Sequence, residues 1–454
     1  METEATGAKG WQIPLLGWRV SRRLALVLEV AALIAWLLIM RGMSAISHDD
    51  LQVLLFYHYG HSFWFGNPAQ FGQPANPRFH TLPAEYPPLS MLLFSLTVLP
   101  LLPDPIQAVT LYTVWMAVLA FISYFIFRRF EGERRARLYA LALFICTSSV
   151  LLVSFDLAPA FATLGAFWAT QRRKFSLAYI MIALGILLKL YPIFVLPVVV
   201  IEQVSDLSGA GKAGQRLRAL LSGRVLAAVL RGLAICVALV AAVYAGSFLL
   251  NAQGTLSAFG FASQRPLQIE STPAALLWIS HFFGVPITLG DPKYASNFGA
   301  FNWLSPQDGP FKLLSLVALV AGCLWVYWRQ LAGRLHFKYA FLAALCVVVA
   351  TNKVLSPQYF IWLLPLVVAV DCFDGVWLAI CVLTLLEHPL IQPIRHLSVD
   401  GYYTLLMVLV ILRNALLIVA TLRLILRRPA IASTTAEHPT QTPSPADAVV
   451  QPGT

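Results

Sequence analysis

Charged residues are scarce in this sequence. Asp, Glu, Lys and Arg make up only 12% of the 454 residues, whereas 59% are hydrophobic. That composition excludes a water-soluble globular protein, because so much apolar surface cannot be hidden in one core. Apolar runs recur along almost the whole chain, and a helix needs about 20 such residues to cross a bilayer. The sequence therefore predicts an all-α polytopic membrane protein with about twelve transmembrane helices.

Several catalytic and binding motifs are also missing. The chain has no Gly-rich phosphate loop, no HExxH and no GxSxG segment, and the lack of a phosphate loop argues against a nucleotide-driven pump. The six cysteines all fall in or beside apolar runs and lack metal-ligand spacing. We expect them to be small core residues, neither disulfide-bonded nor metal-bound. No metal ion or other cofactor is predicted.

Acidic residues are fewer than basic ones, with 21 Asp and Glu against 32 Lys and Arg, and the net charge is +11. Many of the basic residues lie between apolar runs, as in the segment from Arg128 to Arg137. Cytoplasmic loops of membrane proteins carry such an excess. We therefore attribute the charge to membrane topology and to contact with anionic membrane lipids, and we predict no nucleic-acid partner.

The charge pattern also predicts the orientation of the chain. Residues 1–22 form a basic cytoplasmic N-terminus, and a transmembrane domain follows over 23–426. Within that domain, polar loops at 41–105 and 251–310 are expected outside. Residues 427–454 are rich in Ala, Ser, Thr and Pro, which predicts a disordered cytoplasmic tail. We expect a multi-pass protein of the plasma membrane whose active site is extracytoplasmic.

Two adjacent carboxylates, Asp49 and Asp50, lie at the start of the first outer loop. A carboxylate partly shielded from water at a membrane surface can accept a proton from an attacking hydroxyl if its pKa is raised toward the working pH. Alternatively, the pair caps a juxtamembrane helix that begins near Leu51, because Asp is a favourable N-cap residue. The residues alone leave both roles open, and each Asp can fill one of them.

Three cations lie at outer helix edges or in outer loops, namely Lys189, Arg265 and Lys353. A lipid phosphate bound there would need positive charge to receive it. Each side chain could instead extend its charged head to the membrane surface without binding a ligand. Arg413 lies inside the last apolar run, where a buried pair between helices or a lipid-facing position is expected. His48 belongs to a group of histidines whose spacing matches no standard metal site, so we expect solvated or substrate-contacting side chains.

Five segments, taken in order, resemble one family of membrane enzymes. The family is that of the GT-C fold glycosyltransferases, and within it the polyprenol-phosphate-mannose-dependent mannosyltransferase-like group, which includes the enzymes that elongate phosphatidylinositol mannosides. The segments are DLQV from Asp50, EYPPL at Glu85–Leu89, LLKLYP at Leu187–Pro192, RPLQIES at Arg265–Ser271 and SPQYFIWLLP at Ser356–Pro365.

The resemblance implies an inverting transfer of a sugar, mannose in this group, from a polyprenyl-phosphate donor to a lipid or glycolipid acceptor. The catalytic base of the family maps best onto Asp50 and next onto Asp49. The family often has an aromatic residue four positions after the acid, but this chain has Leu54 there, so the choice of base and the sugar stay open. The implied substrate-binding residues are His48, Glu85, Tyr86, Lys189, Tyr191, Arg265, Glu270, Lys353, Gln358 and Tyr359.

A transporter or flippase of lipid-linked saccharides is the alternative function. It would share the many helices, the charged outer loops and the intramembrane Arg413. The chain is asymmetric, however, with long outer loops after its first and seventh spans and no duplicated halves. A noncatalytic subunit of a glycan-assembly complex is a third possibility. Formation of a glycosidic bond distinguishes the enzyme from both.

Overall fold

The structure, a computed structural model, describes residues 11–12, 19–20, 22–46, 50–67, 77–99, 104–290, 299–391 and 399–427. Within these ranges the chain forms seventeen α-helices and five strands of two or three residues. The all-α class predicted from the composition is confirmed. Of the expected tail, 427–454, only Arg427 lies within the described residues.

The described residues of the first half form eight helices and one short pair of strands. Strands β1 (Trp11–Gln12) and β2 (Arg19–Val20) pair antiparallel. A 3-10 turn at Ser95–Thr97 follows α3, and another at Tyr191–Val195 leads into α8. The helices are α1 (Arg22–Ile46), α2 (Asp50–Phe65), α3 (Ser90–Phe94), α4 (Pro105–Glu131), α5 (Glu133–Thr147), α6 (Leu157–Gln171), α7 (Phe175–Leu188) and α8 (Leu196–Ser208).

The second half adds nine helices and a small antiparallel sheet. In that sheet β5 (Asn302–Leu304) lies between β3 (Leu267–Gln268) and β4 (Thr288–Gly290). A 3-10 turn at Pro357–Tyr359 precedes α15, and a π turn at Leu386–Leu390 follows α16. The helices are α9 (Ala213–Leu220), α10 (Gly223–Leu250), α11 (Ala252–Gln264), α12 (Thr272–His281), α13 (Asp308–Leu331), α14 (Phe337–Thr351), α15 (Phe360–Ala369), α16 (Gly375–Leu385) and α17 (Val399–Leu426).

Short polar residues set several of the helix boundaries. The Asp104 carboxylate accepts hydrogen bonds from the backbone N–H groups of Ile106 and Gln107 at 2.9 and 2.8 Å, and Pro105 is the first residue of α4. Such a cap satisfies amide groups that have no partner inside the helix. At its other end α4 stops at Gly132, whose φ of +87° suits glycine.

Among the described residues, six helices are long and apolar enough to cross a membrane, and four shorter apolar helices accompany them. The number of about twelve transmembrane helices stays a prediction, since these segments are six candidate spans and four shorter helices. The six long segments are Leu26–Ala45, Pro105–Glu131, Tyr191–Ser208, Gly223–Leu250, Asp308–Leu331 and Gly401–Leu426, and the shorter ones are Phe175–Leu188, Phe337–Thr351, Pro357–Ala369 and Gly375–Leu390.

Ion pairs define one end of this bundle, which we call the basic end. Arg128, near the end of α4, pairs with Glu29 at the start of α1 and with Glu133 at the start of α5. Trp168, near the end of α6, donates to Glu131 at 2.7 Å. Because successive helices run in opposite directions, the C-terminal ends of α5, α7, α10, α14 and α16 lie at the opposite end of the bundle, which we call the site end. Further pairs at the basic end are Arg135 with Asp371 at 3.8 Å and Arg423 with Asp374 at 3.1 Å.

Two helices form the centre of the bundle. Every residue of α15 is buried, and in α14 all side chains from Ala340 to Ala350 are buried. By contrast α1, α10 and α13 expose many large apolar side chains, such as Leu38, Leu249 and Leu316. A helix exposing such a surface is stable where lipid replaces water as the solvent. The exposed faces of these three helices are therefore the lipid-facing surface of a multi-pass membrane protein.

Candidate active site

A buried ion pair lies at the site end, where α6 begins and α7 ends. The Lys189 ammonium is 2.6 Å from Asp156 Oδ1, and the Asp156 side chain is fully buried. Trp362 Nε1 on α15 donates to the same oxygen at 2.6 Å, and the Ser154 hydroxyl donates to the other carboxylate oxygen. A buried carboxylate needs such partners, because an unpaired charge is costly away from water. Asp156 thus joins three segments that are distant in sequence.

Aromatic rings surround the Lys189 ammonium. Tyr86, Phe155, Tyr359 and Trp362 have their ring centres between 5.0 and 5.6 Å from Lys189 Nζ. Ring faces attract a cation at this range, and more strongly where water is excluded. The predicted site residues Tyr86, Lys189 and Tyr359 are therefore neighbours. Tyr191 joins them, because its ring stacks on Trp362 with centres 4.0 Å apart.

Glu85 lies beside this aromatic group and is held by α2. Tyr59 donates its hydroxyl hydrogen to Glu85 at 2.8 Å and accepts one from the Ala84 N–H at 3.2 Å. Burial raises the pKa of Glu85, and the hydrogen bond from Tyr59 and the charge of Arg265 oppose that rise. Val53 and Phe56 of α2 are fully buried. Through these contacts α2 is fixed against the segment that carries Glu85 and Tyr86.

Arg265 directly follows α11 and, within the candidate site, is a cation with unused hydrogen-bonding capacity. Its Nη2 donates to Gln268 at 3.4 Å, which is a long bond. Its Nε is buried and has no hydrogen-bond partner within the part of the chain that the structure describes. The positive charge of Arg265 lowers the pKa values of Glu85 and Glu270, against the effect of burial, so both carboxylates lie near it. An unsatisfied guanidinium N–H in such a place suits an anionic ligand.

Lys353 and Glu270 are both bonded to the segment that carries Arg265. Lys353 Nζ donates to the Ser263 carbonyl at 3.1 Å, and the Lys353 carbonyl accepts from the Gln268 N–H at 3.1 Å. Burial, together with the charges of Lys312 and Arg265, lowers the pKa of Lys353. Glu270 accepts a hydrogen bond from the Gln268 side chain, and burial raises its pKa.

Of the twelve predicted site residues, eight are brought together by these contacts: Glu85, Tyr86, Lys189, Tyr191, Arg265, Glu270, Lys353 and Tyr359. Gln358 is half-buried in the 3-10 turn that also holds Tyr359. His48 and Asp49 lie outside the described residues, and for Asp50 only the backbone is described, as the first residue of α2. A helix does begin there, as expected, but the choice between base and cap stays a prediction.

Asp156 and Trp362 also belong to the site and were not predicted from the sequence. A signal for Asp156 was present, because it is a lone carboxylate between two apolar runs, and such a residue needs a buried partner.

Arg413 was expected to form an interhelical pair or to face lipid, and it does form a buried pair, with Glu387. Five of the six cysteines are buried and Cys372 is half-buried, as expected for small core residues. Among the described residues, no group of three or more His, Cys, Asp or Glu could hold a metal ion.

Comparison with known proteins places the chain in a family. In structure it is similar to ArnT from Cupriavidus metallidurans, crystallised in the apo state, with a TM-score of 0.40 and 15% sequence identity, over 87% of this chain and 77% of that chain. No curated protein matches the chain in sequence. The sequence profile of glycosyltransferase family 87 matches residues 85–357, which is more than half of the chain and includes Glu85, Lys189, Arg265 and Lys353. The protein therefore belongs to glycosyltransferase family 87 and is a membrane glycosyltransferase.

Proposed function

We propose that this glycosyltransferase moves mannose from a polyprenyl-phosphate donor to a hydroxyl of a lipid or glycolipid, with inversion at the anomeric carbon. The observation that carries the proposal is Arg265, a half-buried guanidinium whose Nε has no hydrogen-bond partner among the described residues. Its charge interacts electrostatically with two carboxylates, Glu85 and Glu270, and with the cation Lys353. A phosphate that enters this site would supply the missing acceptor.

The donor phosphate would bind at Arg265, with Lys353 adding positive charge nearby. Lys353 reaches the Ser263 carbonyl just before Arg265 in sequence, at 3.1 Å. Lys189 is also a predicted phosphate ligand, but its ammonium bonds to Asp156 at 2.6 Å, so it would have to share that bond with the donor. Cationic groups at the departing phosphate stabilise the charge that develops as the bond to the sugar breaks.

The reaction needs one base and one leaving group. The acceptor hydroxyl oxygen forms a bond to the anomeric carbon as the bond from that carbon to the phosphate oxygen breaks. The hydroxyl proton passes to a carboxylate, for which we propose Asp50 or, next, Asp49, and polyprenyl phosphate departs. His48, Tyr86, Tyr191, Glu270, Gln358 and Tyr359 are proposed to line the substrate site. The remaining predicted ligand, Glu85, lies where it can accept a hydrogen bond from a sugar hydroxyl.

The membrane supplies both substrates in this scheme. The prenyl chain of the donor and the tail of the acceptor would lie against the apolar faces of the bundle, which places both polar head groups at one membrane surface. Arginines concentrate at the basic end, and positively charged loops favour the cytoplasmic side. We therefore propose that the site end faces the extracytoplasmic side of the plasma membrane.

Product analysis tests this function. The purified full chain would be incubated with polyprenyl-phosphate mannose and phosphatidylinositol mannosides, and the lipids examined by mass spectrometry and by NMR of the anomeric proton. We expect a new mannosidic bond whose configuration is inverted relative to the donor. Movement of the donor across a vesicle membrane, without any new bond in a mixture that contains acceptor, would overturn the proposal in favour of the transporter.

A further inference from the structure

A second buried ion pair lies behind the candidate active site. Arg413 on α17 and Glu387 in the π turn after α16 are both fully buried and are joined by a salt bridge. Arg413 Nε also donates to the Asn414 side chain at 3.1 Å. Replacing such a pair by well-packed apolar residues is often neutral or stabilising, so a buried salt bridge is weak support for a purely stabilising role. The pair therefore calls for another explanation.

Arg413 and Asn414 both reach the loop of the active site. Arg413 Nη2 donates to the backbone carbonyl of Glu270 at 2.7 Å, and Asn414 Nδ2 donates to the same oxygen at 3.1 Å. A guanidinium holds several acceptors in a fixed planar arrangement, so its orientation, set by Glu387, determines where that carbonyl lies. This carbonyl belongs to the RPLQIES segment, which also carries Arg265.

The side chain of Gln268 links Glu270 to Arg265. The Gln268 side-chain amide donates to the Glu270 carboxylate and accepts from Arg265 at 3.4 Å. The Gln268 N–H also bonds to the Lys353 carbonyl at 3.1 Å. A shift of the Glu270 carbonyl would therefore move Gln268, and with it the two proposed phosphate-binding cations.

We propose that Arg413, oriented by Glu387 and assisted by Asn414, is a positioning residue for glycosyl transfer. It holds the RPLQIES segment so that the guanidinium of Arg265 faces the donor phosphate. The inference rests on the proposed role of Arg265 in donor binding. In this scheme Arg413 does not touch the substrate, and it acts only through the Glu270 backbone and the Gln268 side chain.

The test removes the ion pair without leaving a buried charge. The double variant Arg413→Met, Glu387→Met keeps similar volumes and should unfold at or above the temperature of the wild-type protein. The two hydrogen bonds to the Glu270 carbonyl would fall to one, so we expect the KM for polyprenyl-phosphate mannose to rise at least tenfold with a smaller change in kcat. Arg413→Lys keeps the charge but lacks the planar fork, so its KM should fall between the two. Arg423→Met is the matched control on the same helix, because Arg423 pairs with Asp374 at the basic end; its KM should not change.

A stable double variant with the KM of the wild-type protein would overturn the proposal. Should the double variant not fold, Asn414→Ala decides, since it leaves the salt bridge intact and removes one donor to the Glu270 carbonyl. We expect a several-fold rise in its KM, and an unchanged KM would contradict the inference. Arg265→Ala is measured in parallel. If wild-type protein makes no product, the proposed function fails; if Arg265→Ala raises the KM and the double variant does not, only the role of Arg413 fails.

Discussion

Lys189 and Asp156 form a buried ion pair, with 2.6 Å between Nζ and Oδ1, that joins the end of α7 to the start of α6. Trp362 of α15 bonds to the same carboxylate oxygen. The pair therefore connects three segments next to Tyr86 and Tyr359, whose ring centres lie 5.6 and 5.4 Å from the Lys189 ammonium. Its integrity should govern both the stability of the bundle and the shape of the candidate site.

Breaking this pair on one side should be strongly destabilising. Lys189→Met leaves the Asp156 carboxylate buried without its counter-ion, and we expect a loss of about 3 to 5 kcal/mol in the free energy of unfolding. Lys189→Met combined with Asp156→Asn removes both charges, keeps a hydrogen-bond acceptor for Trp362, and should recover most of that loss. Thermal unfolding of the purified variants in one detergent checks this, and equal melting temperatures for the single and double variants would contradict it.

Loss of the Arg265 guanidinium should weaken donor binding. A hydrogen bond to a charged group contributes about 1.5 to 3 kcal/mol, which corresponds to a factor of about 10 to 100 in affinity. We expect Arg265→Gln to raise the KM for the polyprenyl-phosphate sugar by that factor. Arg78→Gln is the control, because Arg78 is an exposed arginine in the segment before Glu85. Equal KM values for the two variants would argue against a phosphate at Arg265.

Much of this architecture could be predicted from the sequence, because it follows from composition. Long apolar runs must become membrane helices, and loops rich in arginine must gather at one end. The motifs EYPPL, LLKLYP and RPLQIES also contain most of the residues of the site. They could be found because few polar residues lie at the edges of apolar runs. Their proximity in space could not be predicted from the sequence, because Glu85 and Arg265 are 180 positions apart.

The side-chain pairs inside the bundle could not be predicted from the sequence. Asp156 and Trp362 are separated by 206 positions, and Arg413 and Glu387 by 26. Such pairs depend on how the helices pack, which periodicity does not specify. Lys189 is an example. Its position in the sequence predicts a phosphate ligand, but in the folded chain its ammonium pairs with the buried carboxylate of Asp156.

The stability of the protein should depend on pH through Glu85. Burial raises the pKa of Glu85 in the folded state above its ordinary value of 4.5. Between those two values the folded protein binds more protons than the unfolded chain, so this contribution to stability is lost as the pH rises through the folded pKa. Glu85→Gln lacks the contribution. We expect the melting temperature of Glu85→Gln minus that of the wild-type protein to increase as the pH is raised from 4.5. A difference that does not change with pH would contradict this.

The close approach of α2 to the last residue of α3 should require glycine at position 60. A Cβ atom at Gly60 would lie 2.6 Å from the Phe94 carbonyl oxygen, which is backbone and cannot turn aside. Gly60→Ala should therefore destabilise the protein by about 1 to 3 kcal/mol and disturb the neighbouring bond between Tyr59 and Glu85. Gly246→Ala in α10, where a Cβ would meet nothing within 4 Å, is the control. Similar melting temperatures for both variants would contradict the predicted clash.

The most direct test of the whole account measures transfer by Asp49→Asn, Asp50→Asn and the double variant. The assay uses polyprenyl-phosphate mannose and phosphatidylinositol mannosides, with thermal unfolding as the control for folding. Because a positioned base contributes a factor of about 100 to 10,000, we predict that at least one single variant loses that much of its kcat while its melting temperature stays unchanged. Full activity in the double variant would contradict the proposed mechanism.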